Sequence, residues 1–147
     1  MWNTEKQKSI EYGNLLHEIL SLINSETDIE VAVERSLEKG LISLNQKTEI
    51  TEKLKAITQH PDLKDFYSPN YKTLNERTII RTGNSLIKPD KVVLKPNNEV
   101  LILDYKTGEK SEKYKSQIEN YALALKEMGL SVTQKTLVYI GENIEVV

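Results

Sequence analysis

A carboxylate and an ammonium group stand at the end of the most apolar segment of this chain. Residues 99–106 read EVLILDYK, and this run of apolar and β-branched residues predicts a strand. Successive side chains of a strand point to opposite faces, so Asp104 and Lys106 share one face. Both faces are apolar up to that point, which is typical of a central strand covered on both sides. Charged groups in such a place cost free energy unless they are paired or bind a metal.

A second carboxylate, that of Asp90, is expected opposite this strand end. The segment SLIKPDKVVLK (85–95) predicts the preceding strand, and PNN (96–98) predicts the turn between the two. Antiparallel pairing about the middle of this turn aligns residue 90 with residue 104. The two carboxylates could then converge on a hard cation such as Mg²⁺, which prefers oxygen ligands. The alternative is a surface aspartate in an edge strand beside Pro89, with a local Asp–Lys pair at the end of the next strand.

Three helices are predicted ahead of the strands. Apolar residues recur at helical spacing between residues 12 and 23 and make one face. A second helix is predicted over about 29–39, and a third over 49–58, ending before a proline. We therefore expect a helical amino-terminal part over about residues 1–66.

The remainder, about residues 71–147, predicts a sheet. Strands are expected in the segments 75–82 and 85–95, with Gly83-Asn84 as the hairpin turn between them. A long amphipathic helix is expected over 111–128, after the strand EVLILDYK, and one or two further strands complete the chain. This order of elements indicates an α/β fold with a small mixed sheet and helices packed on it.

Length and composition limit the classes of function. The chain of 147 residues is long enough for one hydrophobic core, and we expect residues 1–147 to form a single domain. No apolar run is long enough to span a bilayer. The absence of cysteine excludes disulfides and thiolate metal sites, and it fits a cytoplasmic location. With 20 basic and 22 acidic residues the net charge is −2, so tight binding of nucleic acid by charge alone is not expected.

The motifs of this chain resemble those of the PD-(D/E)xK nucleases. Pro89-Asp90, a spacer of thirteen residues and Asp104-Tyr105-Lys106 match the signature of that superfamily. Three further segments resemble the RecB-type nuclease domains of superfamily-1 helicases such as RecB and AddA. They are G-x-x-x-H from Gly13 to His17, D-Y-K-T-G from Asp104 to Gly108, and Q-x-x-x-Y from Gln117 to Tyr121. All of these elements occur in the expected order along nearly the whole chain.

The resemblance implies a restriction-endonuclease-like core, in which a small mixed sheet is flanked by helices. It also implies hydrolysis of phosphodiester bonds in DNA with Mg²⁺ or Mn²⁺ as the cofactor. The metal ligands that it implies are His17, Asp90, Asp104 and the backbone carbonyl of Tyr105. The catalytic residues that it implies are the same two aspartates, Lys106 as a contact of the attacking water or the transition-state oxygens, and Gln117 and Tyr121 as groups that orient the strand or the lysine.

Other charged residues are weaker candidates. Glu76 is a further acidic candidate on the first predicted strand. Under the same resemblance Lys110, Lys113 and Lys115 would contact phosphates near the start of the long helix, where the helix dipole also favours anions.

The resemblance also implies partners and a biological role. We expect an exonuclease rather than an endonuclease, acting on single-stranded DNA ends in recombination and repair, with a helicase motor in the same chain or complex. No P-loop motif occurs here, so the motor would lie elsewhere. The abrupt start at the first helix suggests the carboxy-terminal domain of a longer protein, with a free-standing small nuclease as the alternative. Two other readings are an inactive member of the same fold that binds DNA or acts as a scaffold, and a protein-interaction domain that binds no metal.

Overall fold

The computed structural model describes residues 4–80 and 85–147, and the chain divides into two compact units, Met1–Pro69 and Asn70–Val147. We call the first the helical unit and the second the sheet unit. The turn predicted at Gly83-Asn84 lies outside the described residues. Within the described ranges, no helix is both long and apolar enough to cross a bilayer. That residues 1–147 form a single domain stays a prediction.

The helical unit consists of α-helices joined by short 3₁₀ segments. The helices are α1 (Thr4–Leu20), α2 (Ile29–Glu38) and α3 (Lys47–Thr58), and a 3₁₀ helix (Pro61–Tyr67) follows α3. Apolar residues recur every three or four positions, so each α-helix has one face to bury. The fully buried side chains of this unit are Leu16, Ile19, Leu20, Ile23, Ile50, Leu54, Ile57, Leu63 and Phe66. The three predicted helices are confirmed.

The sheet unit is built on a five-stranded mixed sheet in the order β1-β4-β5-β6-β7. Its strands are β1 (Lys72–Asn75), β4 (Lys91–Leu94), β5 (Glu99–Lys106), β6 (Ser131–Ile140) and β7 (Ile144–Val146). Two short strands, β2 (Ile79–Ile80) and β3 (Leu86–Ile87), pair in a separate small sheet. β5 and β6 run parallel, so the chain must return to the same end of the sheet, and α4 (Glu112–Glu127) makes this crossover.

The helix α4 covers one face of the five-stranded sheet. Ile118 of α4 packs in one apolar cluster with Val100 and Ile102 of β5. The six central residues of β5 are buried, as expected for a central strand. Because side chains alternate, Asp104 and Lys106 share the face of Val100 and Ile102 and lie under α4. The prediction of an α/β fold with a mixed sheet and a helical amino-terminal part is confirmed.

Two predicted strands prove to be interrupted. The segments 75–82 and 85–95 were expected to pair as a hairpin, and they do so over the short strands β2 and β3, in which Ile79 pairs with Ile87 and Ile80 with Leu86. The pairing partner of β4 is β1, which lies earlier in the chain, and β2 and β3 are separate from both. Glu76 adopts φ 51°, a left-handed conformation that no strand can continue through. Pro89 divides the second segment because it has no N–H to donate to a ladder.

The turn between β4 and β5 sets their register. Residues 96–98 form a 3₁₀ turn in which Asn97 and Asn98 have φ of 65° and 61°, a region that asparagine tolerates better than most residues. From this turn the two strands pair in order, from Leu94 with Val100 to Lys91 with Leu103. The predicted turn and its symmetric register are confirmed.

Candidate active site

Asp90 and Asp104 are held against each other where β4 and β5 stop pairing. The last pair of the ladder is Lys91 with Leu103, so the next residues on the two strands are these aspartates. The backbone N–H of Asp90 donates to Oδ1 of Asp104 at 2.9 Å. In return, the N–H of Tyr105 donates to Oδ2 of Asp90 at 2.8 Å. Each carboxylate is therefore oriented by the backbone of the opposite strand, through a charge-assisted hydrogen bond.

The Asp104 carboxyl group is almost completely buried, with 3% of its side chain exposed. Burial first, and the charge of Asp90 second, raise the pKa of Asp104 to about 6. The hydrogen bond from the Asp90 backbone and the ammonium of Lys106 lower this pKa, but they do not offset the rise. Two carboxylates thus share a mostly buried position at this strand end, and a cation bound there would favour their charged forms.

Lys106 lies beside this pair with its ammonium held from three sides. Its Nζ lies 3.5 Å from Oδ2 of Asp104 and donates to Oε1 of Gln117 at 2.6 Å. It also lies 4.7 Å from the centre of the Tyr114 ring. The Lys106 side chain is 16% exposed, so the ammonium is mostly withdrawn from water but still open to the surface.

The helix α4 supplies the side chains that face Lys106 and the aspartates. Ser111 caps the helix by accepting from the N–H of Lys113, and the helix then presents Gln117 and Tyr121, four residues apart, on one face. The Tyr121 hydroxyl hydrogen-bonds the Gln117 side chain. Burial, followed by the charges of Asp104 and Asp90, raises the pKa of Tyr121 to about 12, so this phenol remains protonated.

Glu76 belongs to the same end of the sheet. Its backbone N–H donates to the carbonyl of Asp90 at 2.9 Å, and a carboxylate oxygen of Glu76 lies within 4.8 Å of one of Asp90. This residue has φ 51°, and a left-handed glutamate costs on the order of 1 kcal/mol or more. A strained backbone that brings a third carboxylate to a pair of aspartates points to a functional role. From the sequence, Glu76 was only a further candidate.

The chemistry of these donors fits a hard divalent cation. The carboxylate of Glu76 lies near that of Asp90, the carboxylate of Asp104 accepts from the backbone N–H of Asp90, and the ligand atoms of all three side chains are oxygens. Carboxylate and carbonyl oxygens are the ligands that Mg²⁺ and Mn²⁺ prefer. Burial, and second the charge of Asp90, raise the pKa of Asp104, and a bound cation would favour the charged form of this carboxyl group.

A family model described as the PD-(D/E)XK nuclease superfamily matches residues 2–145. The chain belongs to this superfamily. Proteins of the superfamily are generally nucleases that act on DNA and typically use a divalent metal, and this supports the predictions of a nuclease, a DNA substrate and a divalent cation. The mixed α/β architecture agrees with the restriction-endonuclease-like core of the superfamily.

Comparison with curated proteins gives no match. Among solved structures, one described as "Crystal structure of SSO0001" is similar at 15% identity, and the alignment covers 100% of this chain and 78% of that chain, with a TM-score of 0.36.

Most of the site residues expected from the superfamily motifs lie together in the sheet unit. The residues brought together there are Asp90, Asp104, Tyr105, Lys106, Gln117 and Tyr121. His17 lies in the helical unit, half-buried in the last turn of α1.

The lysines expected to contact phosphate lie near the start of α4 and have exposed partners. Lys110 pairs with Glu145, and Lys115 lies 3.6 Å from Glu112. The ammonium of Lys113 lies 5.4 Å from the centre of the Tyr114 ring. Exposed ion pairs contribute little free energy, so these lysines could exchange a carboxylate for a phosphate at small cost.

Sequence reasoning missed two residues of this region, Tyr114 and Lys91. Tyr114 lies three residues before Gln117, which places the two on one helix face, and that spacing was the signal. Lys91 is fully buried, and its Nζ donates to Oδ1 of Asn75 at 2.9 Å. The sequence feature that could have identified Lys91 as a buried charge is its position in the apolar strand segment KVVL, directly after Asp90.

Proposed function

We propose that this chain is a Mg²⁺- or Mn²⁺-dependent nuclease that hydrolyses phosphodiester bonds in DNA, with Asp90, Asp104 and Lys106 at its centre. The observation that carries the proposal is the reciprocal hydrogen bonding of the two aspartates, with the ammonium of Lys106 3.5 Å from Asp104. A structural ion pair needs one carboxylate for one ammonium. Here a second carboxylate lies beside the first and raises its pKa, and two adjacent carboxylates are an arrangement that a divalent cation binds.

The metal ligands we propose are Asp90, Asp104 and the backbone carbonyl of Tyr105. The resemblance of the G-x-x-x-H segment adds His17 as the histidine ligand, and because imidazole is a softer ligand than Mg²⁺ favours, it would admit Mn²⁺. Glu76 is a further ligand candidate, because its carboxylate lies near that of Asp90. When bound, the metal would supply a more acidic water and neutralise charge on the phosphate.

Lys106 would act on the reacting phosphate or on the attacking water. Its ammonium is partly withdrawn from water, so a hydrogen bond to a phosphate oxygen is stronger there than in bulk solvent. Gln117 would fix the position of the ammonium by accepting one of its three protons. Tyr121 would fix Gln117 in turn, because its hydroxyl hydrogen-bonds that amide and stays protonated.

We further propose that the chain is of the RecB and AddA type. The support is the order of the G-x-x-x-H, PD, D-Y-K-T-G and Q-x-x-x-Y segments along the chain. On this proposal it is an exonuclease acting on single-stranded DNA ends in recombination and repair, in the cytoplasm, with a helicase motor in the same chain or complex. The net charge of −2 supports a motor that delivers the strand, since the chain has little charge for binding DNA by itself.

The decisive experiment is a nuclease assay on end-labelled single-stranded DNA with Mg²⁺ or Mn²⁺. We expect metal-dependent cleavage by the wild type and a loss on the order of 10³-fold for Lys106→Ala. The matched control is Lys135→Ala, which removes an exposed lysine of the same unit that pairs with Glu119 at 2.7 Å. Equal activity of the wild type and Lys106→Ala would overturn the proposal.

Metal binding is tested by calorimetry with Mn²⁺ on the wild type and on Asp104→Ala. We expect heat of binding from the wild type and a large loss of affinity in the variant, because the variant removes a buried ligand. Absence of binding by both proteins would overturn the site assignment and leave the protein-interaction reading.

The mode of cleavage is tested with linear and circular single strands of the same sequence. An exonuclease degrades only the linear strand, whereas cleavage of the circle would show endonuclease action. The dependence on a motor is tested by fluorescence anisotropy of labelled DNA with this chain alone. We expect a dissociation constant of roughly 10⁻⁶ M or weaker at physiological salt, and nanomolar binding would contradict the need for a motor.

A further inference from the structure

We propose that Tyr114 is a positioning residue for Lys106, whose ammonium it holds through the face of its ring. The inference rests on the proposed nuclease function for its catalytic part. Nζ of Lys106 lies 4.7 Å from the centre of the Tyr114 ring, well inside the distance at which a cation is attracted to an aromatic face. Tyr114 lies outside the Asp104–Gly108 and Gln117–Tyr121 motif segments.

The ring of Tyr114 is itself fixed in place. It packs against the apolar cluster between α4 and the sheet, and its centre lies 6.4 Å from that of Tyr139, with the ring planes tilted by 54°. Tyr139 is the partner of Lys106 in the β5–β6 register. The lysine therefore has one tyrosine beside it on the sheet and another above it on the helix, so the Tyr114 ring is a rigid support rather than a mobile surface group.

The Tyr114 ring attracts the Lys106 ammonium in a way that differs from the contacts with Asp104 and Gln117. The four-carbon side chain of lysine is flexible, and Asp104 attracts the Lys106 ammonium toward its own carboxylate, which the metal would also bind. Gln117 opposes this with one hydrogen bond. The ring attracts the ammonium without accepting one of its protons in a conventional hydrogen bond, so protons stay available for a phosphate oxygen or a water.

The kinetic test compares Tyr114→Leu with Tyr114→Phe. Leucine keeps an apolar side chain but removes the aromatic face, whereas phenylalanine keeps the face and removes only the hydroxyl. We expect kcat of Tyr114→Leu to fall roughly 3- to 30-fold, as for loss of a partly desolvated cation–π contact, with KM nearly unchanged and Tyr114→Phe close to the wild type. The matched control is Tyr71→Leu, because Lys95 lies 5.0 Å from the centre of that ring at the other end of β4.

The contact itself is tested without metal or substrate. In protein labelled with ¹³C at the lysine ε-carbon, the Lys106 methylene protons should lie upfield of those of other lysines, because an aromatic face shields them. Lys106→Arg assigns the signal. We expect the shift to persist in Tyr114→Phe and to disappear in Tyr114→Leu, with circular dichroism showing that both variants are folded.

The outcomes separate the two proposals. An active wild type whose kcat is unchanged in Tyr114→Leu overturns the positioning role alone, and so does a Lys106 signal that Tyr114→Leu leaves in place. A raised KM with unchanged kcat in Tyr114→Leu also overturns the positioning role. Such a result would mean that Tyr114 contacts the substrate, or that the substitution displaces Lys113, whose ammonium lies over the same ring. A wild type without nuclease activity overturns the proposed function and the catalytic part of this inference, even where the NMR contact is present.

Discussion

The helical unit and the sheet unit differ in what they bury. Within the described part of the helical unit, the buried polar side chains are those of Ser36 and Thr58. Each hydroxyl donates a hydrogen bond to a carbonyl of its own helix, Ser36 to Ala32 and Thr58 to Lys55. The sheet unit buries the charged groups Lys91 and Asp104. A hydroxyl bonded within its helix costs little to bury, whereas a buried charge costs several kcal/mol unless partners offset it. The first arrangement serves stability, whereas the second costs stability unless partners such as Asn75, which accepts from Lys91, offset it.

The largest expected effect follows from removing one of the buried carboxylates. Asp90→Ala should reduce nuclease activity by 10³-fold or more, which corresponds to about 4 kcal/mol of transition-state stabilisation. The reason is that Asp90 is hydrogen-bonded to the backbone of β5, so its loss removes a proposed ligand and releases the strand end at Tyr105. Single-turnover cleavage of labelled DNA measures this. Asp90→Asn, which keeps an oxygen for that hydrogen bond, should retain the fold but not the activity; activity within tenfold of the wild type would contradict a ligand role.

In the helical unit we expect a substitution to lower stability and leave the nuclease activity unchanged. Leu54→Ala opens a cavity at a fully buried position of α3 and should lower the free energy of unfolding by about 2–5 kcal/mol. Urea denaturation followed by circular dichroism measures the change. At a temperature where the variant is folded, the nuclease rate per folded molecule should match that of the wild type. A large loss of rate in folded Leu54→Ala would show that this core does more than stabilise.

The same contrast explains how much could be predicted from the sequence. The strand at 99–106, the turn at 96–98 and the opposition of Asp90 and Asp104 were predictable, because alternation and a symmetric turn fix register locally. The separation of β1 from β2 was not. It depends on the left-handed Glu76, a conformation that tertiary contacts impose on a residue with no such local preference. The contact of Tyr114 with Lys106 was not predicted for a similar reason, because it depends on the direction that the Lys106 side chain takes in the folded protein.

A third prediction concerns pH and the charge that the sheet unit buries. The pKa of Asp104 is about 6 in the folded protein and near the ordinary aspartate value of about 4 in the unfolded chain. The folded state therefore binds this proton more tightly, and the contribution of the group to the free energy of unfolding falls as pH rises from about 4 to 6, by roughly 3 kcal/mol at most. Without metal, Asp104→Asn should thus be more stable than the wild type at pH 8, by about 1–2 kcal/mol, and the difference should shrink toward pH 4.

Thermal melts in chelating buffer at several pH values measure this difference. Adding Mn²⁺ should reverse the order at pH 8, because a cation that binds only the folded wild type stabilises it by mass action. A wild type that is more stable than Asp104→Asn at pH 8 in chelator would show that Lys106 fully compensates the buried carboxylate.

The smallest effects are expected at a feature that the two units share, a glycine with positive φ just after a helix. Gly40 ends α2 in the helical unit and Gly129 ends α4 in the sheet unit, with φ of 73° and 87°, and a Cβ added at either would meet no atom within 4 Å. Alanine at either position meets no clash, so its cost is that of the left-handed backbone, about 1 kcal/mol in each unit. Chemical denaturation of Gly40→Ala and Gly129→Ala tests this equality, with nuclease activity unchanged in both. A much larger cost for Gly129→Ala would mean that the end of α4, and not only its first half beside Lys106, is under tertiary constraint.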